Sequence, residues 1–259
     1  MNVVILGSGN TATVLCKVIS KAGPKIVQVA SRNEQNAQIL ADSYSAVASG
    51  LEVSQFERAD IYIVALQDVA LDHIEKFPGL KNKLVVHTAG AISIGALKNI
   101  SDTYGVLYPL QTLSKNSKHI PDIPFLVDGN SAQTLYTIKE FAKTLSDNVQ
   151  HANDKERLNY HVAAVLVSNF TNHLYALAEV FCKKSDIDWQ SLFPLMNETT
   201  NRAQEISPFL SQTGPALRDD IFTLNRHLQA LASHPDMKYI YLKLSESIIK
   251  LHRKPRVDD

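Results

Sequence analysis

Along the first 150 residues, short runs of β-branched and aliphatic side chains alternate with helical patterns. The run Val3-Val4-Ile5-Leu6 has the character of a buried strand, and Gly23-Pro24 ends the helical pattern that follows it. The strands predicted in this way are residues 3–6, 26–30, 45–48, 61–66, 84–87, 105–108 and 125–127. Continuous apolar strands separated by helices are typical of a parallel sheet covered on both faces. Because such crossovers are right-handed, we predict an α/β fold with a doubly wound, Rossmann-type parallel sheet.

The rest of the chain carries only helical patterns. They predict helices at residues 156–183, 188–206, 216–232 and 235–252, and a frayed end at 253–259. Pro194 should kink or break the second of these helices. We therefore predict a Rossmann domain at residues 1–152 followed by an all-helical domain at 153–259. A substrate would then bind in the cleft between the two domains, a common location for ligands.

Composition narrows the function classes. The 259 residues include 26 Lys plus Arg and 26 Asp plus Glu, and this balance argues against a nucleic-acid surface or a basic membrane patch. Cys16 and Cys182 lie in apolar runs without disulfide or zinc spacing, so we interpret them as reduced core residues and predict no metal site. Neither a membrane-spanning run nor a signal peptide is visible, which favours a cytoplasmic protein.

A glycine-rich turn between the first strand and the first helix is the strongest chemical signal. Residues 7–12 read G-x-G-x-x-A: Gly7 permits a tight turn, Gly9 lets a pyrophosphate approach, and Ala12 keeps the helix close to the strand. The free amides at the helix start would face the phosphates. The cofactor-binding candidates here are Gly7, Ser8, Gly9, Asn10 and Thr11. A merely structural turn, or S-adenosylmethionine as ligand, stays open.

The end of the second strand selects the dinucleotide. An acidic residue roughly 20 residues beyond the glycines is typical of NAD binding, but this chain has Ser31-Arg32-Asn33 there. A guanidinium can pair with the 2′-phosphate of NADP, so Ser31 and Arg32 favour NADP over NAD. Glu34, two positions later, leaves open that Arg32 is only a solvated loop residue.

The ends of two further strands should border the cofactor. Leu66 and Gln67 lie at the end of the fourth strand, and His87 and Thr88 lie at the end of the fifth. We count Leu66, Gln67 and Thr88 among the cofactor-binding candidates. Helix capping by Gln67 and Thr88, and a buried structural role for His87, are the alternatives.

The long helix after residue 156 carries an unusual polar stripe. At about 100° per residue, Ser168 and Asn172 lie within roughly 20° of His161, and Asn169 lies beside them. A stripe without fixed charges favours a substrate-lining face over a solvated one. We assign His161, Asn169 and Asn172 to substrate orientation and proton transfer, since histidine titrates near neutral pH, and Ser168 to substrate binding. The opposite face is expected to supply the core, through Ala163, Leu166, Val167, Phe170, Leu174 and Leu177.

The start of the third predicted helix has a mainly structural explanation. Thr213 suits a helix cap, Pro215 suits the first turn, and Asp219 and Asp220 suit the positive helix end. Arg218 is not explained in this way. It is either a clamp for a substrate carboxylate or cofactor phosphate, or a partner of the adjacent aspartates.

Several of these motifs together resemble a bacterial family whose members are provisionally named NADP-dependent oxidoreductases. They are residues 7–12, 31–32, 87–90, 108–112, 161–164, 168–170 and 213–218. The resemblance implies a Rossmann-like domain joined to a helical domain of unassigned function. More distantly, the layout is similar to pyrroline-5-carboxylate reductase, deazaflavin-dependent NADP reductases and the 6-phosphogluconate dehydrogenase superfamily, which implies homodimers formed through the helical domains.

Three departures weaken any inference of substrate from those relatives. Ser168 and Asn169 stand where hydroxyacid dehydrogenases have a lysine, Tyr108 where relatives often have histidine, and Asp219 where they often have glycine. We therefore predict an NADP(H)-dependent oxidoreductase that acts on a small carbonyl or imine substrate. A non-catalytic NADP-binding sensor or scaffold is the alternative, and Arg32 argues against an S-adenosylmethionine-dependent transferase.

Overall fold

The structure is a computed structural model that describes residues 1–71 and 77–253. The chain forms two compact units, Met1–Phe170 and Thr171–Asp259. The division after Phe170 lies later in the chain than the predicted boundary between residues 152 and 153. The predicted boundary instead coincides with the end of the last strand, at His151. Of the predicted frayed end, residues 254–259 lie outside the described residues.

A single eight-stranded sheet organises the first unit. Its strands are β1 (Asn2–Leu6), β2 (Lys25–Ala30), β3 (Val47–Ser49), β4 (Ile61–Val64), β5 (Leu84–His87), β6 (Thr103–Pro109), β7 (Phe125–Gly129) and β8 (Val149–His151). The order is β3-β2-β1-β4-β5-β6-β7-β8, so strand order reverses beside β1. The predicted Rossmann-type topology is confirmed, because β1 to β6 are all parallel.

The far edge of the sheet departs from the prediction of a parallel sheet. β7 pairs antiparallel with β6, and β8 pairs parallel with β7. No strand was predicted at β8, because only one of its three residues, Val149, is apolar and its other two side chains are exposed. An edge strand of this kind has no alternating pattern for sequence reasoning to detect.

The α-helices of the first unit are α1 (Asn10–Ala22), α2 (Glu34–Asp42), α3 (Asp68–Leu71), α4 (Ala132–Leu145) and α5 (Asp154–Ala164), followed by a π-helical segment at Val165–Phe170. α-Helices cover mainly one face of the sheet, where α1, α2 and α4 pack, while the other face is covered by α3, two 3₁₀ turns at Pro78–Leu80 and Ile94–Leu97, and loop residues. Val3 and Ile5 of β1 belong to one apolar cluster, whereas Val4 and Leu6 belong to another. This alternation follows from the period of two in a strand and buries both faces of the sheet.

The second unit is helical. Its helices are α6 (Thr171–Lys184), α7 (Phe193–Glu205), α8 (Ile221–Ala230) and α9 (Pro235–His252). The bounds predicted for α9 are confirmed, and so is the break at Pro194, which lies in the first turn of α7 behind a short 3₁₀ turn. In the described part of the chain, none of the helices is both long and apolar enough to cross a membrane.

The prediction for the third helix is wrong at its start. α8 begins at Ile221 rather than at residue 216, so Thr213 and Pro215 lie before the helix and do not cap it. Asp220 is the cap: its carboxylate accepts hydrogen bonds from the backbone amide and the hydroxyl of Thr223. Asp219 has φ of 52°, a left-handed conformation that aspartate tolerates and that interrupts a helix.

The apolar face of the long helix is only partly buried. Leu174 and Leu177 line an apolar groove of the second unit together with α9. Val167 is 75% exposed and Phe170 is 56% exposed, so their predicted role in the core is wrong for the single chain, as it is for Ala163 and Leu166. Periodicity identifies an apolar face but not what covers it.

Candidate functional site

Gly7 is required by the protein's own structure. Its φ is 133°, and a Cβ added to it would overlap the carbonyl oxygen of Ala65. The Gly7 amide donates a 2.7 Å hydrogen bond to the carbonyl of Ala30, which joins the turn to the end of β2. The predicted tight turn and close approach of backbones are therefore present.

Gly9 has a different explanation. Its φ is −82°, which any residue adopts, and apart from Gly9 and its neighbours Ser8 and Asn10, no atom of the described residues lies within 4 Å of the position that a Cβ would take. As the N-cap of α1 it makes no side-chain hydrogen bond, and the first turn of α1 carries no acidic residue. The open amides and the free space beside Gly9 fit a nucleotide diphosphate, which needs both.

The other residues of the turn are linked to neighbouring segments. Ser8 and Ser31 share a hydrogen bond of 2.8 Å between their hydroxyls, and the Ser31 amide donates to the carbonyl of Ser49. Asn10 accepts a 3.2 Å hydrogen bond from the amide of Lys115. Two predicted cofactor residues, Ser8 and Ser31, are thus brought into direct contact.

A cavity of about 500 Å³ lies beyond the end of β2. Arg32 and Gln67, both predicted cofactor residues, line it together with Glu34 and Leu51. Leu66 is half-buried and packs against the second apolar cluster instead. Asn33 caps α2, because its side chain accepts a hydrogen bond from the backbone amide of Asn36. The neighbouring Arg32 side chain is exposed and is not the helix cap.

A larger cavity of about 620 Å³, here called the β6–α5 pocket, lies within the first unit. Thr11 and Thr88 line it, as do the end of β6, α5 and the π-helical segment. Three residues of the predicted polar stripe, His161, Ser168 and Asn169, also line this pocket. Ser168 and Asn169 both lie in the π-helical segment, a geometry that often occurs at functional sites.

Two pairs of side chains span the pocket wall. The Tyr108 hydroxyl and Nδ1 of His161 are 3.0 Å apart, and the two rings meet edge to face. The hydroxyls of Thr112 and Ser168 are 2.5 Å apart. Gly90 adjoins the first pair, since a Cβ there would lie 2.8 Å from the His161 ring and 3.0 Å from the Tyr108 ring.

Burial and nearby charges change the pKa of Tyr108, which lines this pocket. Burial raises the pKa of Tyr108, the Arg157 guanidinium opposes that shift, and the Asp68 carboxylate reinforces it. The tyrosine therefore keeps its proton at neutral pH. It has a proton available for donation.

His87 is fully buried at the end of β5. Its Nδ1 accepts a 3.2 Å hydrogen bond from the amide of Ala89. Burial, aided by the charge of Arg157, lowers the pKa of His87 to about 4. The ring is therefore neutral at pH 7, and its position matches the structural alternative for this residue.

Arg157 and Asp154, on the first turns of α5, hold the segment that follows β5. Arg157 is 1% exposed and donates to the Ile92 carbonyl at 2.5 Å and to the Asp154 carboxylate at 2.8 Å. Asp154 also accepts from the Ser93 hydroxyl and the Ile94 amide. Partial burial would raise the pKa of Asp154, but the hydrogen bonds from Ser93, Ile94 and Arg157 leave it below its ordinary value.

Two family models match this chain. The model described as NADP oxidoreductase, coenzyme F420-dependent, matches residues 2–90, and a domain of unknown function, DUF2520, matches residues 123–248. Among curated proteins, no sequence matches significantly. A solved structure from Bacteroides fragilis, provisionally named an NADP oxidoreductase, is 37% identical; the match covers 96% of this chain and 98% of that one, with a TM-score of 0.88. The chain belongs to this NADP oxidoreductase family.

More distant structures share the fold. A reductive aminase from Aspergillus terreus, in complex with NADPH and ethyl-5-oxohexanoate, is 15% identical, with a TM-score of 0.72 over 98% of this chain and 94% of that one. The 1-pyrroline-5-carboxylate reductase of Streptococcus pyogenes is 14% identical, with a TM-score of 0.61 over 96% of this chain and 98% of that one. The predicted likeness to the latter enzyme is confirmed at the level of the fold.

Two of the predicted site residues lie in the second unit. Asn172 is exposed on α6, and Arg218 is exposed in the turn before α8, where its charge contributes to lowering the pKa of Asp220. Hydrogen bonds from Thr223 are the larger cause of that shift. The roles predicted for Asn172 and Arg218 in substrate contact stay predictions.

Three residues at or near the candidate site were not predicted from the sequence. Tyr108 and Thr112 line the β6–α5 pocket, and Arg157 lies buried behind it. Tyr108 and Thr112 had a usable signal, because Tyr108 ends a predicted strand and Thr112 follows it, at the edge of the sheet where ligands bind in this fold. Arg157 had none, since its burial depends on tertiary contacts.

Proposed function

We propose that this protein is an NADP(H)-dependent oxidoreductase that transfers a hydride between the nicotinamide and a small carbonyl or imine compound in the β6–α5 pocket. The observation that carries the proposal is the start of α1, where Gly9 leaves open space beside helix amides without a side-chain cap. Membership of an NADP oxidoreductase family supports the same conclusion.

The dinucleotide would be held by the glycine turn and the end of β2. The amides of residues 9–11 would bind the diphosphate, and Ser31 and Arg32 would bind the 2′-phosphate of the ribose. Gln67 lines the same cavity as Arg32, and Thr88 lines the pocket for the substrate. When bound, the nicotinamide supplies the hydride.

Tyr108 and His161 provide the proton that reduction of a carbonyl or imine requires. The Tyr108 hydroxyl donates its proton to the reduced oxygen or nitrogen. His161, hydrogen-bonded to Tyr108 through Nδ1, returns a proton to the phenolate from Nδ1 and takes up a replacement proton from solvent at Nε2. Ser168 and Asn169 orient the substrate by hydrogen bonding. Asn172 and Arg218 remain candidates for additional contacts.

We retain a homodimer and a cytoplasmic location as parts of this proposal. The exposed apolar side chains of the long helix, such as Val167 and Phe170, support the homodimer because large exposed apolar patches are typical of interaction surfaces.

Cofactor choice is tested with Arg32→Ala. We expect NADPH affinity to fall by about one to two decades, since a charge-assisted contact contributes about 1.5–3 kcal/mol, while NADH affinity changes little. Calorimetry measures both, and Arg58→Ala is the matched control because it removes an exposed arginine that does not line the Arg32 cavity. Equal losses for both cofactors would contradict the assignment.

Catalysis is tested by the loss of NADPH absorbance with a panel of ketones, keto acids and imines. Turnover of any member supports an oxidoreductase. Tight NADPH binding with no turnover across the panel would favour a sensor or scaffold instead.

A further inference from the structure

We infer that the substrate of the β6–α5 pocket carries no anionic group: it is a ketone, aldehyde or imine without a carboxylate or phosphate. The inference rests on the proposed function, because it concerns the same site. It narrows the chemical class that this site accepts.

The polar groups in the lining of the pocket are hydroxyls, amides and one imidazole. Its hydroxyl groups come from Thr11, Thr88, Tyr108, Thr112, Tyr160 and Ser168. Its remaining polar side chains are Gln111, His161 and Asn169. Within residues 1–71 and 77–253, the lining includes neither a lysine or arginine nor an aspartate or glutamate. A carboxylate or phosphate placed there would lose its hydration without gaining a lysine or arginine as a partner.

The nearest buried cation cannot take that role. Arg157 acts electrostatically on Tyr108, but it is paired with Asp154 and bonded to the Ile92 carbonyl. Its Nε and Nη1 lack hydrogen-bond partners within the described chain, yet both atoms are inaccessible from the surface. A substrate in the pocket therefore cannot reach these two nitrogen atoms. The Asp154 carboxylate partly neutralises the Arg157 charge.

The other charge that acts on Tyr108 is negative. Asp68 is exposed at the start of α3 and disfavours formation of a phenolate at Tyr108. Its effect on Tyr108 is smaller than that of Arg157, so Asp68 offsets only part of the Arg157 charge at this residue.

Hydrogen bonds within the pocket lining also favour a substrate without an anionic group. The hydroxyls of Thr112 and Ser168 are bonded to each other, so one of these two donors is not available to a substrate. One carbonyl oxygen or imine nitrogen needs a single donor. A carboxylate needs several to compensate for its lost hydration.

Binding of matched neutral and anionic ligands tests the inference directly. Cyclopentanone and cyclopentanecarboxylate are titrated calorimetrically into the full-length protein at pH 7, with and without NADP⁺. We expect the Kd of the ketone to be at least about tenfold lower, equivalent to about 1.4 kcal/mol. Tighter or equal binding of the carboxylate, or binding of neither ligand, would overturn the inference.

A cation introduced into the wall provides the positive control. Ser168→Lys should reverse the preference toward cyclopentanecarboxylate, whereas Ser168→Ala should keep the preference for the ketone. A wild-type protein that already behaves like the lysine variant would show that a cation reaches the pocket.

Turnover separates this inference from the proposed function. We expect NADPH oxidation with 2-methyl-1-pyrroline to exceed that with 1-pyrroline-2-carboxylate at least about tenfold in kcat/KM. Faster turnover of the carboxylate overturns the inference but supports an oxidoreductase. Preferential binding of cyclopentanone without turnover of either imine supports the inference about the pocket and counts against the proposed function.

Discussion

At the scale of single residues, Gly7 and Gly9 of one motif meet different demands. Gly7 has a left-handed φ and lies against the Ala65 carbonyl, so the folded chain itself excludes a side chain. Gly9 has an ordinary φ and open space, so only a ligand gives a reason for its lack of a side chain. The motif therefore combines a residue that the fold requires with one that we propose to be required for binding.

The two alanine variants should accordingly behave differently. Gly7→Ala should lose about 1–3 kcal/mol of unfolding free energy from backbone strain alone, and more from the overlap with Ala65. Gly9→Ala should stay within about 0.5 kcal/mol of the wild type in urea denaturation but bind NADPH more weakly in calorimetry. Unchanged NADPH affinity in Gly9→Ala would remove the main support for the diphosphate site.

At the scale of elements, the first turns of α5 hold residues 92–94, which follow β5, by hydrogen bonds. Asn153 and Glu156 form a capping box that fixes the start of the helix. Asp154 and Arg157 then bind Ser93, Ile94 and Ile92, beyond the pocket residue Thr88. The position of this segment thus depends on a helix that is distant in sequence.

The two members of this ion pair should not be equivalent. Asp154→Asn leaves the buried Arg157 charge without its carboxylate, and we expect a loss of about 3–5 kcal/mol in unfolding free energy. Arg157→Met should cost less, because Asp154 is partly exposed and keeps its bonds from Ser93 and Ile94. Urea denaturation of both variants measures the difference, and a larger loss in Arg157→Met would contradict this account.

At the scale of the whole molecule, the buried His87 couples stability to pH. The folded protein keeps this ring neutral down to about pH 4, whereas a histidine in the unfolded chain takes up a proton near pH 6.5. Between these values the unfolded state binds more protons than the folded state. The contribution of His87 is therefore fully present above pH 6.5 and declines as the pH falls toward 4.

Over that interval His87 should lower the unfolding free energy by about 3 kcal/mol. His87→Asn keeps an acceptor for the Ala89 amide but cannot titrate, so its stability should fall less between pH 6.5 and 4. Urea denaturation at a series of pH values gives both slopes. Parallel slopes for the two proteins would show that other groups cause the acid sensitivity.

Several features were predictable from the sequence because their causes are local. The left-handed φ at Gly23 ends α1, and Pro194 begins a new helix because its ring cannot continue the preceding one. The α9 stripe shows a clear helical period, and its bounds agree with the structure. Cys16 and Cys182 are buried and free, as their apolar surroundings predicted.

Other features were missed because distant residues decide them. The hydrogen bond between Tyr108 and His161 joins residues that are 53 positions apart, and nothing local to either one specifies the other. The π-helical segment Val165–Phe170, which contains Ser168 and Asn169, was not predicted, because an apolar pattern does not distinguish it from a regular α-helix. The start of α8 depended on the choice between Thr213 and Asp220 as the cap, and both residues are suitable cap types.

The sequence by itself determined the Rossmann-type fold, the glycine turn and the cationic residue after β2, because short-range sterics and hydrophobic periodicity specify them. Only the tertiary structure decided which polar side chains meet, which buried charges pair and which apolar faces stay exposed. Those outcomes depend on contacts between segments that are far apart in the chain, and burial and pairing exist only once these segments have packed.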